Sequence, residues 1–168
     1  MGRAKHVRIF SGLTTKDYRV VDGALEQVGI TQLGHCLFHQ LSGGERQMVL
    51  IARAIATECG VLILDEPFTG LDLDNQERTL ALLDNLASRM GIGILFTTHQ
   101  PDHLFNHADF SLILQKNKDV ISGHCPDILT ESLLSQVYGV GIRILEIDHQ
   151  IKKTRHAVVT NLRSQLGR

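Results

Sequence analysis

The sequence predicts an α/β domain built around a parallel sheet, and three observations carry that expectation. Residues 61–64 and 92–96 are continuous apolar runs, the pattern of strands buried on both faces of a parallel sheet. Residues 75–90 between them repeat apolar positions at helical spacing, which gives the order strand, helix, strand. Each apolar run stops at polar residues, Asp65-Glu66 after the first and Thr97-Thr98-His99 after the second. Ligands of open α/β sheets bind at the carboxyl ends of strands, so these residues are the first site candidates.

The other elements follow in chain order. Residues 1–10 are short and basic, with Arg3, Lys5 and Arg8. Residues 15–28 place Val20, Val21, Ala24, Leu25 and Val28 on one helical face, and Gly29 supplies a stop. Residues 30–33 read as a second short helix or turn. Ser42 followed by Glu45 is a capping box, so a helix starts there. Met48, Ile51, Ala52 and Ile55 give that helix one buried face, and Gly60 is its expected end. Gly43 and Gly44 put bare N–H groups at its N-terminus, which suits an anion. In the 75–90 helix, Thr79, Leu82, Leu83, Leu86 and Met90 are expected to face inward, with Gly91 at the end. Pro101 opens a short helix bearing His103 and His107. With His99 this pair invites a zinc reading, but Pro101 separates His99 from the other two and no Glu or Cys completes the ligand set. Surface histidines are therefore expected. Residues 110–114 and 119–122 flank a Lys116-Asn117-Lys118 turn, as in a hairpin at the sheet edge. Thr130 caps a helix through Val137, Gly139 ends it, and residues 141–147 form a last strand.

Composition narrows the function classes. The chain of 168 residues suffices for one domain with a sizeable core. Its 43% hydrophobic and 21% charged content is ordinary for a globular protein. A net charge of -1 gives no electrostatic case for nucleic acid, and none is expected as a partner. No apolar run approaches the roughly 20 residues of a membrane-spanning helix. Cys36, Cys59 and Cys125 are odd in number without paired spacing, and read as free thiols of a reducing cytosol.

The ordered set Leu41-Ser42-Gly43-Gly44-Glu45-Arg46-Gln47, Val61-Leu62-Ile63-Leu64-Asp65-Glu66-Pro67, Gly70-Leu71-Asp72 and Thr97-Thr98-His99 resembles the ATP-binding domain of ABC transporters. These stretches match its signature motif, Walker B motif, D-loop and switch histidine. The resemblance runs from Met1 to about Asp148. It implies a P-loop NTPase (RecA-like) ABC ATPase fold, here incomplete, with a helical signature subdomain at about 13–58 and the remaining catalytic core at 61–148. Residues 149–168, polar and basic through Lys152, Lys153, Arg155, Arg163 and Arg168, are expected as a loosely docked tail. By the resemblance, the cofactors are ATP and Mg2+. Asp65 holds the Mg2+ through water, Glu66 polarises the attacking water, and His99 contacts the γ-phosphate. Ser42, Gly43, Gly44 and Gln47 meet the nucleotide held by a second ATPase subunit, and Asp72 serves the interface of that head-to-tail homodimer. The further partners implied are the permease subunits of an importer, with this subunit cytoplasmic and peripheral on the inner face of the membrane. Thr97-Thr98-His99-Gln100-Pro101 looks most like the molybdate type, among importers of iron-siderophore, haem, cobalamin or molybdate.

One family motif has no counterpart. A Gly-rich loop ending in Gly-Lys-Ser/Thr, the Walker A cradle for phosphates, occurs nowhere in the 168 residues. The adenine-stacking aromatic and the Q-loop glutamine would both lie upstream of Met1. In importers of this type a segment like Met1-Gly2-Arg3 falls in mid-domain, so the chain is expected to begin partway through a longer protein. The isolated chain is expected to be inactive. Two further readings compete: a non-hydrolytic remnant, and a soluble ABC protein outside transport. Only 13 residues separate the signature from Walker B, without heptads, which disfavours the latter.

Overall fold

The computed structural model describes residue 2, residues 13–148 and residues 153–160. The basic segment at 3–10 and most of the expected tail lie outside the described residues. The chain divides into two units, Met1–Thr98 and His99–Arg168.

The first unit begins with helix α1, Thr15–Val28, which Thr14 and Asp17 close with a reciprocal capping box. Short 3-10 turns follow at Thr31–Leu33 and Phe38–Gln40, the second of them not foreseen. Helix α2, Gly43–Ile55, starts at the Ser42 cap as expected but ends five residues before Gly60. After it the chain turns through Glu58, which adopts a left-handed φ of 55°. Strand β1, Val61–Leu64, leads to helix α3, Leu73–Met90, capped by Asp72, and then to strand β2, Gly93–Phe96. β1 and β2 pair in parallel, Val61 with Gly93 through Leu64 with Phe96, so the strand–helix–strand unit is present.

Burial of this sheet departs from expectation. Leu62 is buried, but Val61, Ile63 and Leu95 are exposed, so the strands bury one face and not two. The buried face joins Met48, Ile51, Ala52 and Ile55 of α2 and Leu80, Leu82, Leu83 and Leu86 of α3 in one core. Alternate side chains point to opposite faces of a strand, so a single packed layer shelters only every second residue. Thr79 is fully buried, its hydroxyl donating to Asn75 O at 2.8 Å, whereas Met90, expected inward, is half exposed in the last turn of α3, before the Gly91 cap.

The second unit holds helix α4, Pro101–His107, and an antiparallel pair, β3, Phe110–Ile113, with β4, Ile121–His124. The hairpin turns at Asn117, as read from the sequence, but its two strands form a sheet of their own among the described residues. Helix α5, Cys125–Ile128, and helix α6, Glu131–Tyr138, follow, the latter capped by Thr130 and stopped by Gly139. Strand β5, Ile142–Asp148, pairs antiparallel with strand β6, Lys153–Val159. That pairing corrects the loose-tail expectation for residues 153–159. β6 is also held by α4: Asp102 Oδ1 accepts the Ala157 N–H at 2.9 Å, and Asn106 exchanges two bonds with the Arg155 backbone. His103 is buried at 5% exposure, which corrects its reading as a surface histidine.

Candidate functional site

Ser42 builds the first part of the site. Its hydroxyl accepts the Glu45 N–H at 3.3 Å, and Glu45 returns by accepting the Ser42 N–H at 2.8 Å. The Ser42 N–H, then its hydroxyl, hold the Glu45 carboxyl below its ordinary range. Arg46 fixes the approach to the cap, donating to the carbonyls of Phe38 and His39 at 3.3 and 2.8 Å. Gln47 lies further along α2, partly buried.

The two glycines differ. A Cβ at Gly43 would meet nothing within 4 Å, so its backbone is open to close approach. A Cβ at Gly44 would fall 2.7 Å from the Asn75 side chain. Asn75 is itself fixed, its N–H and Nδ2 donating to the two Asp72 carboxylate oxygens at 2.8 and 3.1 Å. The fold thus brings Gly44 and Asp72 together through Asn75, a residue that sequence reasoning did not single out.

The acid pair stands at the carboxyl end of β1. Asp65 is exposed and Glu66 partly so. Glu66 has φ 44°, a left-handed conformation that is uncommon away from glycine and recurs at functional sites. Thr97 spans both acids: its hydroxyl accepts the Glu66 N–H at 2.8 Å and donates to Asp65 Oδ1 at 2.7 Å. Thr69 Oγ1 donates to Glu66 Oε2 at 3.0 Å. The loop beyond is held by Gln76 Nε2, which donates to the carbonyls of Phe68 and Leu71 at 3.4 and 3.0 Å. Phe68 is buried edge-on against Phe96 at 5.4 Å. Thr97 was legible only as part of a motif. The signal for its bridging role is the register: Leu64 faces Phe96, so the next pair brings Thr97 beside Asp65.

His99 opens the second unit, exposed, its carbonyl accepting the Tyr138 hydroxyl at 2.7 Å. Burial, then the Asp102 charge, push the Tyr138 hydroxyl pKa up. Among the described residues, no three His, Cys, Asp or Glu side chains gather as a metal cage. The chemistry of Asp65 and Glu66 instead suits Mg2+, which keeps several waters and takes only one or two carboxylates. The Thr97 bond occupies one of the two Asp65 oxygens.

A family model described as ABC transporter matches residues 4–69. The molybdate import ATP-binding protein MolC of Haemophilus influenzae is 41% identical over 82% of this chain and 54% of its own length. The iron(3+)-hydroxamate import ATP-binding protein FhuC of Bacillus subtilis is 35% identical over 86% of this chain and 54% of its own. The chain therefore spans about half the length of these curated relatives. A solved structure of a metal-chelate type ABC transporter in an inward-facing conformation superposes with a TM-score of 0.91 at 36% identity, covering 96% of this chain and 64% of that one. An ATP-binding cassette in its ADP conformation shares the fold at a TM-score of 0.68 and 21% identity, covering 78% of this chain and 53% of that one.

Proposed function

This chain belongs to the ABC transporter ATP-binding family, and from that premise we propose that it supplies site residues of an ATPase subunit powering an importer of a metal chelate or oxyanion. The observation that carries this reading is one unit holding both a capped helix end with an open Gly43 and an acid pair at the end of a parallel strand. The named relatives import molybdate and iron hydroxamate, which supports a chelate or oxyanion as cargo.

The roles follow from charge and position. Asp65 would hold Mg2+ through water, and Glu66 would accept a proton from the water that attacks the γ-phosphate. Mg2+, when bound, neutralises phosphate charge. Ser42 would offer its hydroxyl, and Gly43 and Gly44 their N–H donors and the positive end of α2, to nucleotide on a second subunit, with Gln47 beside them. Asp72 would work at that subunit interface, and His99 would contact the γ-phosphate. No helix among the described residues is long and apolar enough to cross a membrane. Attachment at the inner face would come through permease subunits.

The test uses the full-length gene product. Ser42→Arg should leave nucleotide binding to one subunit nearly intact and abolish turnover, because a cation opposes the helix dipole and blocks closure. Glu66→Gln should trap an ATP-bound dimer without cleavage. Light scattering with and without ATP, alongside turnover, reads both. A Ser42→Arg protein that dimerises and hydrolyses normally would reduce the stretch to a helix cap.

The open Gly43 at the capped end of α2 also fits a second reading, a non-hydrolytic chain that lends this end to an intact partner. The 168-residue chain alone is then expected to show no Mg2+-ATP hydrolysis. Turnover by that chain that disappears in Glu66→Gln excludes this second reading.

A further inference from the structure

We propose that Thr97 is a positioning residue for the acid pair, its hydroxyl setting Asp65 and Glu66 relative to each other. The inference rests on the roles given to those two acids above. It is carried by a pair of bonds through a single oxygen: Thr97 Oγ1 donates its proton to Asp65 Oδ1 at 2.7 Å and accepts the Glu66 N–H at 2.8 Å. A hydroxyl is suited to this double task because it is donor and acceptor at once. Valine has the same shape and does neither, and serine does both.

The backbone puts the hydroxyl in place. The Thr97 N–H donates to Leu64 O at 3.0 Å, extending the parallel ladder one step beyond Phe96. Thr97 therefore sits across from the point where β1 ends and the acids begin. Glu66 adopts φ 44° there, and its N–H is met by the Thr97 side chain. The other bond turns the Asp65 carboxylate by one oxygen. The residue assigned to the metal and the residue assigned to the water are thereby referred to one atom, from a strand more than 30 positions away in sequence. Groups that orient a metal-binding carboxylate typically alter metal affinity about 10–100-fold when removed.

The experiment compares the wild-type chain with Thr97→Val and Thr97→Ser. Two quantities are read: hydrogen exchange at the Glu66 amide by NMR, and affinity for Mn2+ alone by paramagnetic broadening at Asp65 and Glu66. In Thr97→Val the Glu66 amide should lose its protection and Mn2+ affinity should fall about tenfold, while Thr97→Ser keeps both. The amides of β2 and the melting temperature should stay as in wild type, which separates positioning from unfolding. Unchanged Glu66 exchange in Thr97→Val, or equal damage in Thr97→Ser, overturns the proposal. A wild-type chain that binds no Mn2+ at these carboxylates counts against the metal role itself, and Glu66 exchange then decides the part played by Thr97.

Discussion

Glu45 shows how a single carboxylate can report on the helix end it closes. Its folded pKa is lowered, first by the Ser42 N–H and then by the Ser42 hydroxyl. A group depressed in the folded state stabilises that state above its unfolded value and ceases to as pH falls through the folded value. The α2 cap should therefore be intact above pH 4.5 and loosen progressively below it. Amide exchange at Ser42 and Glu45 over a pH series measures this. Glu45→Gln keeps an acceptor for the Ser42 N–H and should remove the acid dependence, whereas Ser42→Ala should cost about 1 kcal/mol at neutral pH and less in acid, because the hydroxyl it removes also lowers the Glu45 pKa. Acid dependence that persists in Glu45→Gln would place its origin elsewhere. The cap itself was legible in sequence because both partners lie within one helical turn.

At the scale of the element, α2 meets the start of α3 where Gly44 faces Asn75, and the neighbouring glycines should respond in opposite ways. Gly43→Ala enters open space at an ordinary helical position, so the fold should be unchanged or stabilised by about 0.4–1 kcal/mol. Gly44→Ala forces the Asn75 side chain from its Nδ2 bond to Asp72 and should destabilise by about 1–3 kcal/mol. Denaturant midpoints of the two variants give the comparison. Equal destabilisation would mean that Asn75 yields freely and that Gly44 is not a packing contact. Only half of this was readable beforehand: Gly43 and Gly44 look alike in sequence, and the neighbour that tells them apart arrives from another helix.

For the molecule as a whole, each unit has its own core. The first gathers α1, α2, α3 and one face of the β1–β2 sheet, and the second gathers α4, α5 and α6 with β3, β5 and β6. The other face of β1–β2 shows Ile63 at 71%, Val61 at 60% and Leu95 at 58% exposure. Among the described residues each of these strands pairs with one neighbour only, leaving one edge of each open. Apolar side chains beside open edges favour strand addition between copies. The 168-residue chain should therefore self-associate with rising concentration, and Ile63→Lys should reduce this without disturbing the buried Leu62 face. Light scattering against concentration is the measurement. A monomer with a sharp cooperative melt would contradict it.

The starts of α2 and α6, the stops of α1, α3 and α6 and the strand–helix–strand order were legible in the sequence alone, and the candidate site residues were legible through a family resemblance. The helix ends depend on interactions within a few positions: the Ser42–Glu45 box, the Thr130 cap, the glycines that end α1, α3 and α6, and apolar repeats of 3.6. Tertiary structure decided what lies far apart in the chain. It left one face of β1–β2 exposed, drew residues 153–159 onto β5 as a strand, buried His103, set Asn75 against Gly44, and joined Asp65 and Glu66 to Thr97. Periodicity states which side chains share a face but not what covers it. A hydroxyl that donates and accepts finds both partners only after two strands have aligned.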